Sequence, residues 1–337
     1  MNDKRIEISV VAPLYNEAAN LAQLYERLTH VLEGMGVDYE FVFINDGSHD
    51  ATLLGVKALA ARDPRVRYVD FSRNFGHQIA VSAGLDRARG QAVVIIDADL
   101  QDPPELIAEM YAKLQSGYEV VYAQRRKRHG ETWFKRFTAS MFYRLFNRFS
   151  NIQMPLDTGD FRIMARPVVD VLVSMPERHK FLRGQISWIG FRQTFVEYDR
   201  APRAGGETGY TLRKMVRFAL DGLTGFSTLP LKLATILGFV VSGLAFLLIV
   251  FVVIVKLFGT RLGFLVAPGW ASQMIVSLFL GGVQLIAIGI LGEYIARIAD
   301  NTKQRPLYVV RESSDSISGG SATSGPLPMS SSTASTH

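Results

Sequence analysis

The chain has 337 residues, 48% of them hydrophobic, and its 37 Lys and Arg against 31 Asp and Glu give a formal net charge of +6. That length allows one large domain or two ordinary ones, each burying a core of its own. Cysteine is absent, which excludes a disulfide framework, a thiolate nucleophile and a cysteine-ligated metal, and suits a reducing compartment.

From Ile6 onward, short aliphatic runs alternate with longer helix-like segments. Strands are predicted over residues 6–14, 39–46, 66–71, 92–99 and 119–123, with helices beginning near Glu17, Asp50, His77 and Pro103. Continuous Val and Ile runs separated by helical patterns predict a doubly wound α/β domain, its mostly parallel sheet covered on both faces. In such sheets ligands bind at the carboxyl ends of the strands. Asn16 and Glu17 follow the first strand, Asp46 ends the second, and Asp97 and Asp99 end the fourth. Singly, each suits a turn or a helix cap; gathered on one edge, they mark a site. Asp102 and Glu105 are assigned to the turn and first helical turn around Pro103 and Pro104, where carboxylates suit the helix dipole.

Residues 133–149 place Trp133, Phe137, Met141, Leu145 and Phe149 on one helical row and Arg136, Arg144 and Arg148 on another. A basic amphipathic helix of this kind suits a membrane interface, as does a similar one at 213–230; ordinary packed helices are the alternative. Two apolar stretches, about 233–255 and 272–294, are long enough to cross a bilayer at about 20 residues per helical span. Residues 1–20 lack a basic start, apolar core and cleavage site, so no signal peptide is expected. Basic residues concentrate before the first span and after the second, which places both termini and the catalytic part in the cytoplasm of a multi-pass protein of the plasma (inner) membrane. The positive charge is therefore expected to meet membrane lipids, and no nucleic acid. The resulting division is a catalytic domain over 1–212, a juxtamembrane helix over 213–230 and two spans within 231–295. A cytoplasmic return over 296–311 and a disordered Ser-rich tail over 312–337 follow.

Neither a G-x-G-x-x-G fingerprint nor a P-loop follows the first strand. A phosphate-bearing ligand here would need a metal to offset its charge, and Asp97-x-Asp99 offers the hard oxygen ligands that Mg2+ or Mn2+ prefers. His77 and His129 are left unassigned, because a lone histidine is more often structural.

The motifs "VVAPLYNE", "NDGSHDAT", "DADLQDPPE" and "DTGDFR", in that order, resemble the signature set of the inverting nucleotide-sugar glycosyltransferases of family two, with the GT-A fold. More narrowly, "FLRGQISWIGFR", "RAGGETGYTLRKM" and the two C-terminal spans are similar to bacterial polyisoprenyl-phosphate glycosyltransferases of the bactoprenol glucosyltransferase type, relatives of dolichol-phosphate mannose synthase. The resemblance implies that Pro13, Tyr15, Glu17 and Asp46 hold the nucleoside. It implies that Asp97, Ala98, Asp99 and Gln101 meet the diphosphate, with Asp97, Asp99 and Gln101 on the metal. Gly209 stands where relatives usually carry Lys, so either Arg203 or Lys214 meets the donor diphosphate.

The resemblance further implies transfer of a hexose, with UDP-glucose the favoured donor, to undecaprenyl phosphate. A UDP-aminoarabinose derivative or GDP-mannose, a processive polysaccharide synthase and a non-catalytic membrane scaffold are the alternatives, and homo-oligomerisation stays open. Asp157 is where relatives place a carboxylate near the acceptor. A lipid monophosphate has a second pKa of about 6 and is largely deprotonated already, so Asp157 is expected to orient Arg162 or an acceptor-site arginine rather than remove a proton. Arg125, Arg126 or Arg128, just after the fifth strand, are candidates for the acceptor phosphate.

Overall fold

The computed structural model describes residues 5–126, 158–178, 180–198, 229–262 and 269–315. Within them the five predicted strands form as β1 (Ile8–Leu14), β2 (Tyr39–Asn45), β3 (Val66–Phe71), β4 (Ala92–Ile95) and β5 (Val120–Arg125). The four helices between them are α1 (Ala18–Met35), α2 (Thr52–Arg62), α3 (His77–Arg87) and α4 (Leu106–Gln115). Three further strands, β6 (Thr158–Ala165), β7 (Gln193–Tyr198) and β8 (Val310–Ser313), complete one eight-stranded sheet of order β7-β5-β6-β4-β1-β2-β3-β8. It is mostly parallel, with β6 running antiparallel to both β4 and β5, and β8 antiparallel to β3.

Both faces of the sheet are covered, which is why its strands read as unbroken apolar runs. Alternate residues Val10, Ala12, Leu14, Phe41 and Phe43 pack on one side against Leu21, Leu24, Leu28 and Leu32. Those four leucines recur every three or four residues and form the buried stripe of α1, each contributing about 2 kcal/mol by leaving water. Val11, Val42 and Ile44 face the other way, onto Val81 and Leu85 of α3, Val168 and Leu172 of α5 (Arg166–Ser174), and Ile186 of α6 (Leu182–Ile189).

The C-terminal part differs from the sequence division. Residues 310–315, split there between a return segment and a Ser-rich tail, instead add β8 to the outer edge of the catalytic sheet. Tyr308 stacks on Phe71 at 4.8 Å, Val309 accepts a hydrogen bond from the Ser72 amide, and Asp315 pairs with Arg67 at 2.7 Å. The return is held because it satisfies the open edge of β3, which apolar content alone does not announce.

Between sheet and return lie two long helices, α7 (Leu229–Leu262) and α8 (Trp270–Thr302), which pack on each other and expose large apolar side chains along their lengths. They contain the two expected spans. Among the described residues, one stretch, Phe279–Thr302, is long and apolar enough to cross a membrane, and Ala234–Leu247 is a shorter apolar segment. The interfacial helices expected at 133–149 and 213–230 fall outside the described residues, apart from the last two positions of the second, which begin α7.

Candidate active site

At the carboxyl edge of the sheet, the first two sequence motifs lock together. Asn16, in the left-handed region at φ 57°, donates its amide to Ser48 Oγ and accepts the His49 amide on Oδ1. The Glu17 amide donates to Thr52 Oγ1 and the Ala18 amide to Asp50 Oδ2. Gly47, at φ +66°, lets this double loop approach the β3–α3 connection: a Cβ there would lie 2.5 Å from Arg73 C and Asn74 N. That contact admits glycine alone.

Asp46 anchors the same connection. Its carboxylate accepts the Phe75 amide at 2.6 Å and the Gly76 amide at 2.9 Å. Burial raises its pKa, opposed by those two N–H groups. The next residue, His77, opens α3 and is thereby fixed over the sheet edge.

The antiparallel strand β6 brings the remaining groups. Ile95 of β4 is paired with Arg162, and continuing that register by two residues sets Asp160 opposite Asp97. His77 Nε2 lies 3.2 Å from Asp160 Oδ2 and 3.6 Å from Asp97 Oδ1, and ligand atoms of the three residues all fall within 4.8 Å of one another. Asp97 Oδ1 is buried with no hydrogen-bond partner among the described residues.

Beneath Asp160 sits Arg162, 1% exposed. Its guanidinium donates to the carbonyls of Gly159 and Asp160 and to Asp160 Oδ1, and lies 5.2 Å from the centre of the Tyr122 ring. From the other side Arg183 Nε of α6 donates to Asp160 Oδ1 at 2.9 Å.

Charge follows from this packing. Burial pushes the Asp97 carboxyl up to about 6, opposed by His77 and reinforced by Asp160, Asp102 and Asp99. Burial would raise Asp160 as well, but the hydrogen bond to His77 and the Arg183 and Arg162 charges outweigh it and hold Asp160 well below the usual carboxylate range. For His77 burial is likewise outweighed, by its bond to Asp160 and the two carboxylate charges, so its pKa rises. A buried acceptor without a partner, two carboxylates and an imidazole within reach of one point form a donor set suited to a divalent cation.

The glycosyl transferase family 2 model matches residues 9–173. An uncharacterized glycosyltransferase of Bacillus subtilis is 49% identical over 310 residues, covering 92% of this chain and 95% of its own. The chain belongs to glycosyl transferase family 2.

A second relative of this glycosyltransferase, the prophage bactoprenol glucosyl transferase homolog of Escherichia coli, is 42% identical, covering 91% of this chain and 99% of its own. Among solved structures, glucosyl-3-phosphoglycerate synthase from Mycobacterium tuberculosis in complex with phosphoglyceric acid is similar at 20% identity and a TM-score of 0.45. That similarity covers 65% of this chain and 78% of that one.

In this glycosyltransferase, Pro13 is buried at the end of β1, Tyr15 is exposed and edge-on to His49, and Glu17 accepts a hydrogen bond from Asn20. These residues and Asp46 line one stretch of the edge. Of the three expected metal ligands, Asp97 belongs to the His77–Asp160 cluster. Asp99 and Gln101 sit on the following loop, where the Gln101 amide donates to Asp99 Oδ1, and Ala98 and Gln101 are buried. Arg162, which Asp157 was expected to orient, is buried beneath Asp160. Asp102 lies at the bend before Pro103, as expected, and is in addition a buried partner of the Tyr198 hydroxyl on β7; Glu105, in the turn that opens α4, pairs with Arg27 of α1 at 2.7 Å.

Arg126 is exposed and pairs with Glu197 at 3.2 Å, while Arg125 ends β5. Asp157, Arg128, Arg203 and Lys214 lie outside the described residues. His77, Asp160 and Arg183 were passed over in the sequence. The signal for His77 was its place at the start of the helix that follows the third strand, on the same edge as Asp97.

Proposed function

We propose that the protein transfers a hexose, glucose from UDP-glucose, to undecaprenyl or a related polyisoprenyl phosphate, with inversion, at the cytoplasmic face of the membrane. The observation that carries this reading is the 42% identity, over nearly the whole chain, to a protein named as a bactoprenol glucosyl transferase homolog, combined with the acidic cluster on this chain's own sheet edge.

The nucleoside is seated along Pro13, Tyr15, Glu17 and Asp46, the last holding the loop that delivers His77. Asp97 is the shared member of two ligand sets for Mg2+ or Mn2+, one with His77 and Asp160, the other with Asp99 and Gln101. When bound, such an ion offsets charge on the departing nucleoside diphosphate. The protein's own contribution is positioning: a rigid strand end for Asp97, a buried guanidinium that fixes Asp160, and a lipid phosphate whose oxygen needs no strong base, so that Asp157 orients rather than deprotonates. Arg125, Arg126 or Arg128 meets the acceptor phosphate, and Arg203 or Lys214 the donor.

Helices α7 and α8 are read as two membrane spans with both termini cytoplasmic. Their exposed apolar side chains, from Ile236 to Ile298, suit lipid far better than water. Solubilised protein given radiolabelled UDP-glucose and undecaprenyl phosphate should yield label in the organic phase; label appearing in a soluble polymer instead would overturn the reading.

A further inference from the structure

The connection from β3 to α3, residues 72–76, gives Asp46 its two amide donors and delivers His77, yet little in its own sequence holds it. Its last residue, Gly76, sits at φ 103°, and α3 starts from it without a side-chain cap. The return segment that leaves α8 supplies the grip. Ser72 is bonded to it through both backbone groups: its amide donates to the Val309 carbonyl at 2.9 Å, and its carbonyl accepts from Arg311 Nη2 at 2.8 Å. One residue earlier, Phe71 is fully buried and lies in the middle of a chain of three rings. Tyr308 stacks on it at 4.8 Å with 21° between the planes, and Phe75 meets it edge-on at 5.6 Å and 86°. Phe75 is the residue whose amide reaches Asp46 at 2.6 Å. The Tyr308 hydroxyl also donates to Asp86 of α3 at 3.4 Å, so one side chain touches both elements that the connection joins. Rings packed in contact pass a displacement on, because a close-packed interior has no slack to absorb it.

We infer that Tyr308 is a positioning residue for the donor nucleotide: by stacking on Phe71 it fixes the connection that engages Asp46 and places His77. This rests on the proposed glycosyl transfer, whose nucleoside seat includes Asp46. Tyr308 touches no substrate and acts through Phe71 and Phe75, so the segment that leaves the second long helix sets the shape of the nucleotide edge.

The test uses the full-length detergent-solubilised protein and its Y308A, Y308L, Y308F and V196A variants. UDP affinity is measured by calorimetry with Mn2+ present, and steady-state constants for UDP-glucose and for undecaprenyl phosphate. Y308A should weaken UDP binding roughly 3- to 10-fold, the scale of one aromatic pair, and raise the KM for UDP-glucose by a similar factor with the KM for the lipid phosphate unchanged. Y308L keeps apolar bulk without the flat face and should show the same loss, which decides the matter if Y308A does not stay folded. Y308F keeps the ring and should lie within twofold of wild type. V196A removes buried methyl groups from β7, at the opposite end of the sheet, and should lower thermal stability with UDP affinity unchanged. UDP affinity within twofold of wild type in folded Y308A or Y308L would overturn the inference. So would Y308F as weak as Y308A, a loss confined to the lipid phosphate, or V196A weakening UDP in step with its melting temperature. Wild-type protein that binds UDP but makes no labelled lipid counts against the reaction itself; Tyr308 is then judged on UDP affinity alone, where the same loss supports the assignment and an unchanged value overturns it. Wild-type protein that binds no UDP would overturn both.

Discussion

Replacing Asp160 by Asn tests how the site is held. The carboxylate is the charged partner of Arg162, which is fully buried, whereas Arg183 and His77 reach solvent and can rehydrate. Loss of the negative charge therefore strands one buried cation, and leaving such a charge uncompensated costs about 3–5 kcal/mol. For a catalytic domain of this size each kcal/mol lowers Tm by about 2–4 °C, so the variant should melt at least about 6 °C below wild type. Arg162→Met removes the buried charge itself and leaves Asp160 with Arg183 and His77. Its main penalty is the loss of a donor to the Gly159 and Asp160 carbonyls, about 1–3 kcal/mol. The double variant should then be less destabilised than the sum of the two by about 1–3 kcal/mol. Thermal unfolding of the solubilised proteins followed by tryptophan fluorescence reads all four corners of the cycle. An Asp160→Asn protein melting within about 1 °C of wild type, or additive effects, would refute this account of the cluster.

Three other outcomes follow from the same geometry. Gly47→Ala combines a strained backbone at φ +66° with a Cβ 2.5 Å from the Arg73–Asn74 backbone, so it should cost about 2 kcal/mol and raise the KM for the nucleotide sugar; an unchanged melting curve and KM would show that the loop contact is slack. The Asp315 carboxyl is held below its ordinary value by its hydrogen bond to Arg67, so it adds stability at neutral pH that is lost as pH falls from about 5 toward 3. Because Asp315 is partly exposed the contribution is about 1 kcal/mol or less, and Asp315→Asn should show a shallower decline of Tm with acid than wild type; parallel curves would contradict the pairing. Chelation with EDTA should abolish transfer, with recovery on adding Mn2+ or Mg2+, while Asp97→Asn should not recover at the same cation concentration; full turnover in EDTA would remove the metal from the account.

Much of the sheet was legible because strands covered on both faces announce themselves as aliphatic runs. β3 begins and ends where the run does, and α1 to α4 start within a few residues of their expected positions. β6 was not legible: "TGDFRIMA" carries Asp160 and Arg162 within its first five residues, and only its insertion between β4 and β5 makes a buried arginine affordable. β7 and β8 are short edge strands whose burial depends on a neighbour far away in sequence. The site shows the same division. Asp97 could be placed because it lies two residues past the end of a recognisable strand, whereas Asp160 meets it through an antiparallel register that no local pattern encodes. Asp102 could be placed at its bend because prolines follow it, but its partner Tyr198, 96 positions further on, could not be read.

The most direct test of the central claim is a panel of nucleotide sugars, UDP-glucose, GDP-mannose and a UDP-aminoarabinose derivative, each offered with undecaprenyl phosphate to the full-length protein. Product is read by mass spectrometry of the extracted lipid. The account predicts a hexosyl phosphate lipid from UDP-glucose, formed with release of UDP. Absence of any sugar-bearing lipid phosphate across the panel, from protein that binds UDP, would contradict it.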